Sequence, residues 1–195
     1  MTILWPPFVG WMVSALYFLE YYLELALIGL TACKTTKDKL VGSWRYAKTM
    51  TFDGNEISLM GVDNQKEDGT FTSSQTAVAT TETEYDGVKV RIKIGISIKG
   101  YGDWKVNDDK EIVSSPVSVS VKVTSVKYFD PTDDSFIGEL TGSELEEASK
   151  EYAREVKADL LEASTERIIM LQDNKYVTES VDDDGKKETI TYNRL

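Results

Sequence analysis

The chain has 195 residues, 33 Asp and Glu against 22 Lys and Arg, a formal charge of −11, one cysteine and no histidine. The acidic balance disfavours nucleic acid and anionic lipid surfaces, because both are held by clustered Lys and Arg. Without histidine there is no Ser-His-Asp or Cys-His catalysis and the commonest zinc ligand is missing, and one cysteine allows no internal disulfide.

Residues 1–32 are rich in apolar and aromatic side chains, with Glu20 and Glu24 as their only charges. The stretch is long enough to cross a bilayer. A carboxylate in mid-membrane, however, costs about 2.5 kcal/mol or more. The small pair Thr31-Ala32 before Cys33 fits a signal-peptidase cleavage site, where the pocket excludes bulk. Leu30-Thr31-Ala32-Cys33 resembles the lipobox of bacterial lipoprotein signal peptides. The resemblance implies that 1–32 are removed, that the Cys33 sulfur carries a diacylglycerol and that the new amine is acylated. Several acyl chains together give a stable membrane anchor, where one binds reversibly. The segment departs from that pattern at its front, where no Lys or Arg precedes Lys34. An uncleaved membrane helix is the alternative.

Residues 33–39 read as a polar tether and residues 40–195 as one domain, a length that buries about 70% of its unfolded surface without staples. Leu40–Tyr46 is the first expected strand, Asp53-Gly54-Asn55 a turn, and Ile57 with Leu59 a short second strand. Asp68-Gly69 turns into Thr70–Ser73, and the Thr-rich run Gln75–Thr83 is strand or loop. Val88, Val90, Ile92, Ile94, Ile96 and Ile98 then alternate with Lys89, Arg91, Lys93, Ser97 and Lys99, which predicts one dry and one wet face. A strand this long needs a curved or closed sheet, and Gly95 marks the bend. Its basic stripe reads as a solvated face.

Tyr101–Val106 is the next expected strand, followed by a turn at Asn107-Asp108-Asp109 and a new strand from Ile112. Pro116 places that strand at an edge or a bulge. Val117, Val119, Val121 and Val123 alternate with polar residues until the register changes near Ser125-Val126, which predicts a bulge. Asp130-Pro131-Thr132-Asp133-Asp134 and Asp182-Asp183-Asp184-Gly185 lack the spacing of a calcium loop and read as turns, so no metal is expected.

One helix is expected over about 143–164. Ser143 and Glu146 have the spacing of a capping box, and Leu145, Ala148, Tyr152, Val156, Leu160 and Ala163 form a single apolar stripe. Such a stripe suits a packing helix that plugs the core, with a lid over a cavity as the other reading. Ile168–Leu171, Tyr176–Val181 and Glu188–Arg194 complete a mainly β, antiparallel chain of eight or nine strands with one inserted helix.

Gly42-Ser43-Trp44 resembles the Gly-x-Trp signature of lipocalins. Asp68-Gly69-Thr70-Phe71, Gly102-Asp103-Trp104-Lys105-Val106, Leu171-Gln172-Asp173-Asn174-Lys175 and Thr191-Tyr192-Asn193-Arg194-Leu195 resemble, in that order, motifs of lipocalin-like lipoproteins of Bacteroidota. The resemblance implies a lipocalin-like β-barrel in which Trp44 plugs the closed end, Arg194 packs over it, and a small apolar ligand occupies the interior without a cofactor. The inserted helix departs from that family, whose helix follows the barrel. A structural or protein-interaction lipoprotein with a filled barrel is the alternative. No motif singles out a catalytic pair, so no enzymatic role is expected. Lys34-Thr35-Thr36-Lys37-Asp38 has no acidic run after Cys33, which by the same resemblance points to the periplasmic face of the outer membrane.

Overall fold

In the computed structural model, the described residues are 34–52, 55–85, 87–181, 185 and 187–195. Cys33 and the segment before it lie outside them, as do Asp53-Gly54 and Asp182–Asp184 of the expected turns. Nine antiparallel strands make one sheet: β1 (Gly42–Phe52), β2 (Asn55–Gln65), β3 (Thr70–Tyr85), β4 (Val88–Asn107), β5 (Glu111–Phe129), β6 (Phe136–Glu139), β7 (Ser164–Leu171), β8 (Lys175–Val181) and β9 (Lys187–Arg194). The first five pair in succession, β5 continues to β7, β8 and β9, and β9 returns to β1. Eight strands therefore close a ring, and β6 adds to β5 outside it. Closure removes most of the free edges that strands this long would otherwise expose.

The strands run longer than the sequence implies. The runs expected as separate strands before and after Gly100 are one continuous β4, and the Thr-rich run lies wholly within β3. β5 likewise runs past Pro116 without a break. It absorbs the proline in a register shift, with Tyr101 opposite Ser118 and Gly102 opposite Pro116. The second shift falls where the alternation breaks: Gly95 faces Ser125 and Ile96 faces Val123, leaving Thr124 as the extra residue. A Cβ on Gly95 would lie 2.6 Å from Ser125 Oγ and 2.9 Å from Thr124 Oγ1, so the bulge needs a glycine opposite it.

The expected dry face of β4 is dry only in part. Ile96 is buried, whereas Val88 is 60% exposed. β2 accompanies β3 only as far as Thr80, so the outer part of the β3–β4 hairpin has no β2 strand beside it. The tightest core lies at the opposite end of the ring, where Leu40, Trp44, Tyr46, Trp104, Ile112, Tyr176 and Tyr192 pack together.

The polar tether is also shorter than the sequence implies. Thr36–Leu40 forms a one-turn helix, α1, and the folded unit starts at Thr36 rather than at residue 40. Leu40 is completely buried and its carbonyl accepts a 2.6 Å hydrogen bond from Trp44 Nε1, which draws the preceding turn onto the barrel end. Lys37 sits over the Trp104 ring.

The inserted helix α2 spans Gly142–Val156 and is followed by a 3-10 turn at Asp159–Leu161. It is shorter than expected, and the capping box does not form. Thr141 occupies the N-cap, with no side-chain hydrogen bond, two residues before the expected cap, and the helix starts at Gly142 (φ +55°), so Ser143 lies inside its first turn. α2 also does not plug the core, since none of its described residues is fully buried. It packs along β5. β7 covers β5 at Glu111–Ser114 and β6 covers it at Lys127–Phe129. Between those two segments α2 occupies the place of a strand, and Ser149 Oγ accepts a 3.0 Å bond from the Val123 amide.

Candidate functional site

The filled end of the barrel is built around Trp44, a side chain with no exposed surface. Tyr176 meets it edge-on, with ring centroids 4.7 Å apart, and the Arg194 guanidinium lies over the indole at 4.3 Å. Arg194 also donates to three backbone carbonyls: Asp173 (2.6 Å), Val41 (3.0 Å) and Lys39 (2.6 Å). One side chain thus ties the entry to β1, the β7–β8 turn and the last strand together. The geometry explains the glycine of Gly42-Ser43-Trp44. Gly42 takes φ +139°, and a Cβ there would lie 2.7 Å from Arg194 Nη1. The two residues singled out as a structural pair, Trp44 and Arg194, are therefore brought together, and neither lines the cavity described next.

Above the plug the interior changes character. Trp44 is paired with Asp63 across β1 and β2, so Asp63 occupies the next place on the inner wall. A cavity of about 260 Å³ opens there. Its apolar wall includes Leu59, Phe71, Ile98, Val119 and Ile190, and Leu160 of the 3-10 turn closes one side. Its polar wall includes Asp63, Gln65, Ser73, Gln75 and Glu166. Tyr46 and Tyr192 stand at the boundary with the filled end, where Tyr192 stacks on Tyr176 at 4.3 Å.

The electrostatics of this wall are one-sided. The Tyr192 hydroxyl donates to Glu166, 3.2 Å from Oε2, and the Thr178 hydroxyl donates to the same oxygen. Burial pushes the Asp63 carboxyl up to about 6, Glu166 adds to the rise, and a hydrogen bond from Ser73 offsets part of it. Burial also raises the Tyr46, Tyr176 and Tyr192 hydroxyls well above the usual tyrosine value, so all three remain protonated donors. Two buried acceptors have no donor among the described residues: Asp63 Oδ1 and Gln65 Oε1. No ion pair joins Asp63 or Glu166 to a cation among the described residues, and Lys48 on the same wall is paired with Glu188. Burying a carboxylate without a cation is costly, and such groups concentrate at functional sites.

Asp63, Gln65 and Glu166 were not singled out from the sequence. The signal was present in β2. Extending the inward phase of Ile57 and Leu59 by twos reaches Gly61, Asp63 and Gln65, so a run that looks like the polar end of a strand places acceptors inside the barrel. In the acidic turn at Asp130, Asp130 and Asp133 accept hydrogen bonds from the backbone amides of Thr132 and Ser135, two residues on. Among the described residues no cluster of His, Cys, Asp or Glu has the geometry to hold a metal. In comparisons with known proteins, no family model and no curated protein matches the chain.

Proposed function

We propose that the protein is a membrane-anchored lipoprotein whose lipocalin-like barrel holds a small, largely apolar molecule in its interior. The observation that carries this reading is the 260 Å³ cavity between the aromatic plug and the 3-10 turn, with an apolar wall facing a short polar one. Small-molecule sites range upward from about 300 Å³, so the occupant is at the small end of that class. The anchor rests on Leu30-Thr31-Ala32-Cys33, and the periplasmic face of the outer membrane on the absence of an acidic run after the cysteine. Among the described residues no helix is long and apolar enough to cross a membrane.

Two measurements test the two halves of the proposal. Native mass spectrometry of the gently purified barrel should show a bound small molecule that organic extraction removes. A barrel that is ligand-free in every preparation, and whose melting temperature no small-molecule library raises, sinks the carrier reading in favour of a structural lipoprotein. For the anchor, Cys33→Ser should abolish incorporation of labelled fatty acid and release the protein from membranes. A variant that stays in the membrane at full length identifies an uncleaved helix instead.

A further inference from the structure

Resting on that reading, we propose that the occupant carries a protonated amine, and that its ammonium group sits against Asp63 and Glu166 while its apolar body lies along Leu59, Ile98 and Ile190.

The polar wall brings two carboxylates and the Gln65 amide into one cavity. Gln65 is 6% exposed, and its Oε1 has no donor. Asp63 Oδ1 has none either. Three donors on or beside this wall already have partners: Tyr192 and Thr178 bond Glu166, and Lys48 pairs with Glu188. Two buried oxygens on the wall are thus left without a donor among the described residues, and its two carboxylates face a single cation, Lys48, that is already paired. A neutral apolar ligand would remove water from Asp63 and Glu166 and return nothing. A carboxylate ligand would place a third anion beside them. An ammonium group supplies three N–H donors and the missing positive charge together. Because burial desolvates the Asp63 carboxyl, that pairing is stronger there than it would be on the surface. A divalent metal fits less well, since calcium requires six to eight oxygen ligands and the wall offers two carboxylates and one amide.

The test uses octylamine and 1-octanol, two chains of equal length that differ in charge, added to the folded barrel at pH 7.5 and followed by calorimetry. Octylamine should bind at least tenfold more tightly than octanol. Asp63→Asn should remove that preference while leaving octanol binding in place, and Glu82→Gln on the outer surface should change neither. Equal binding of the two probes overturns the amine proposal and leaves the cavity reading standing. Binding of neither overturns both. Calcium binding that competes with octylamine and is lost in Asp63→Asn overturns the amine in favour of a metal. Asp63→Asn removes a buried charge, so the variant is expected to fold, and a melting curve taken beside each titration verifies that it has.

Discussion

The two ends of this barrel are made from the same strands and are built on opposite principles. At the plug, Trp44, Tyr176 and Tyr192 pack ring against ring, Trp44 Nε1 is satisfied by the Leu40 carbonyl, and Arg194 lies over the indole. At the cavity, one strand position away, Asp63 is buried with an oxygen that no donor reaches. The first arrangement maximises stability. The second costs stability. The two arrangements predict opposite responses to substitution: truncation at the plug should lower stability, and removal of the Asp63 charge should not.

The sharpest way to break this contrast is at the plug. Trp44→Ala removes a fully buried aromatic and should cost roughly 3–5 kcal/mol, out of the 5–15 kcal/mol typical of a domain. Urea unfolding should show it close to unfolded. Leu59→Ala, at a side chain that already faces open space, should cost less than about 2 kcal/mol. Arg194→Ala should fall between them, because it loses its stacking on Trp44 and its three carbonyl contacts but leaves the indole packed. The double variant should cost less than the sum of the single ones. If Trp44→Ala melts within a degree or two of the parent, the plug carries no special share of the stability.

Asp63→Asn is the opposite case, a substitution inside the barrel that should stabilise. The folded protein holds the Asp63 proton up to about pH 6, whereas the unfolded chain releases it near 3.8. Between those values the folded state binds more protons, so this group makes stability fall as pH rises, and the loss persists above pH 6. A displacement of that size is worth about 3 kcal/mol at most. The groups facing Asp63 that share in the effect are Glu166 on β7, Ser73 on β3 and Tyr46 on β1. Melting curves of parent and variant should therefore coincide near pH 3.5 and diverge up to pH 6, with the variant higher. Identical curves across that range would mean that the carboxylate is already paid for by a partner.

Much of the plug was legible in the sequence because its residues are chemically loud. A tryptophan two places after a glycine, and an arginine near the end of a last strand, mark themselves. The bulges were legible too, since Pro116 and the break at Ser125-Val126 disturb an alternation that is otherwise strict. The cavity was quieter. Asp63 and Gln65 sit in a short polar run that looks like a strand end, and only the pairing of Trp44 with Asp63 shows that they point inward. Glu166 follows a helix whose length the apolar stripe overstates, because Leu160 belongs to a separate 3-10 turn on the cavity wall. The stripe of α2 was visible, but its target was not. Periodicity shows that a face is apolar, and says nothing about whether a core or a strand edge will cover it.

That edge sets the smallest and most specific prediction. Between β6 and β7 the wall of the barrel is a helix lying against β5, linked to it by the bond from the Val123 amide to Ser149 Oγ. Val123 is buried, so losing the acceptor leaves an amide with no water to turn to. Ser149→Ala should cost about 1 kcal/mol, within the 0.5–1.5 kcal/mol usual for such a bond and rising toward the cost of a buried orphan donor. The effect should also be local. Hydrogen exchange at Val123 and its β5 neighbours should speed up while amides around Trp44 keep their protection, because sub-global opening follows the contacts that are lost. Uniform acceleration across the barrel would mean that α2 and the plug form one cooperative unit, and the division between the two ends would not hold.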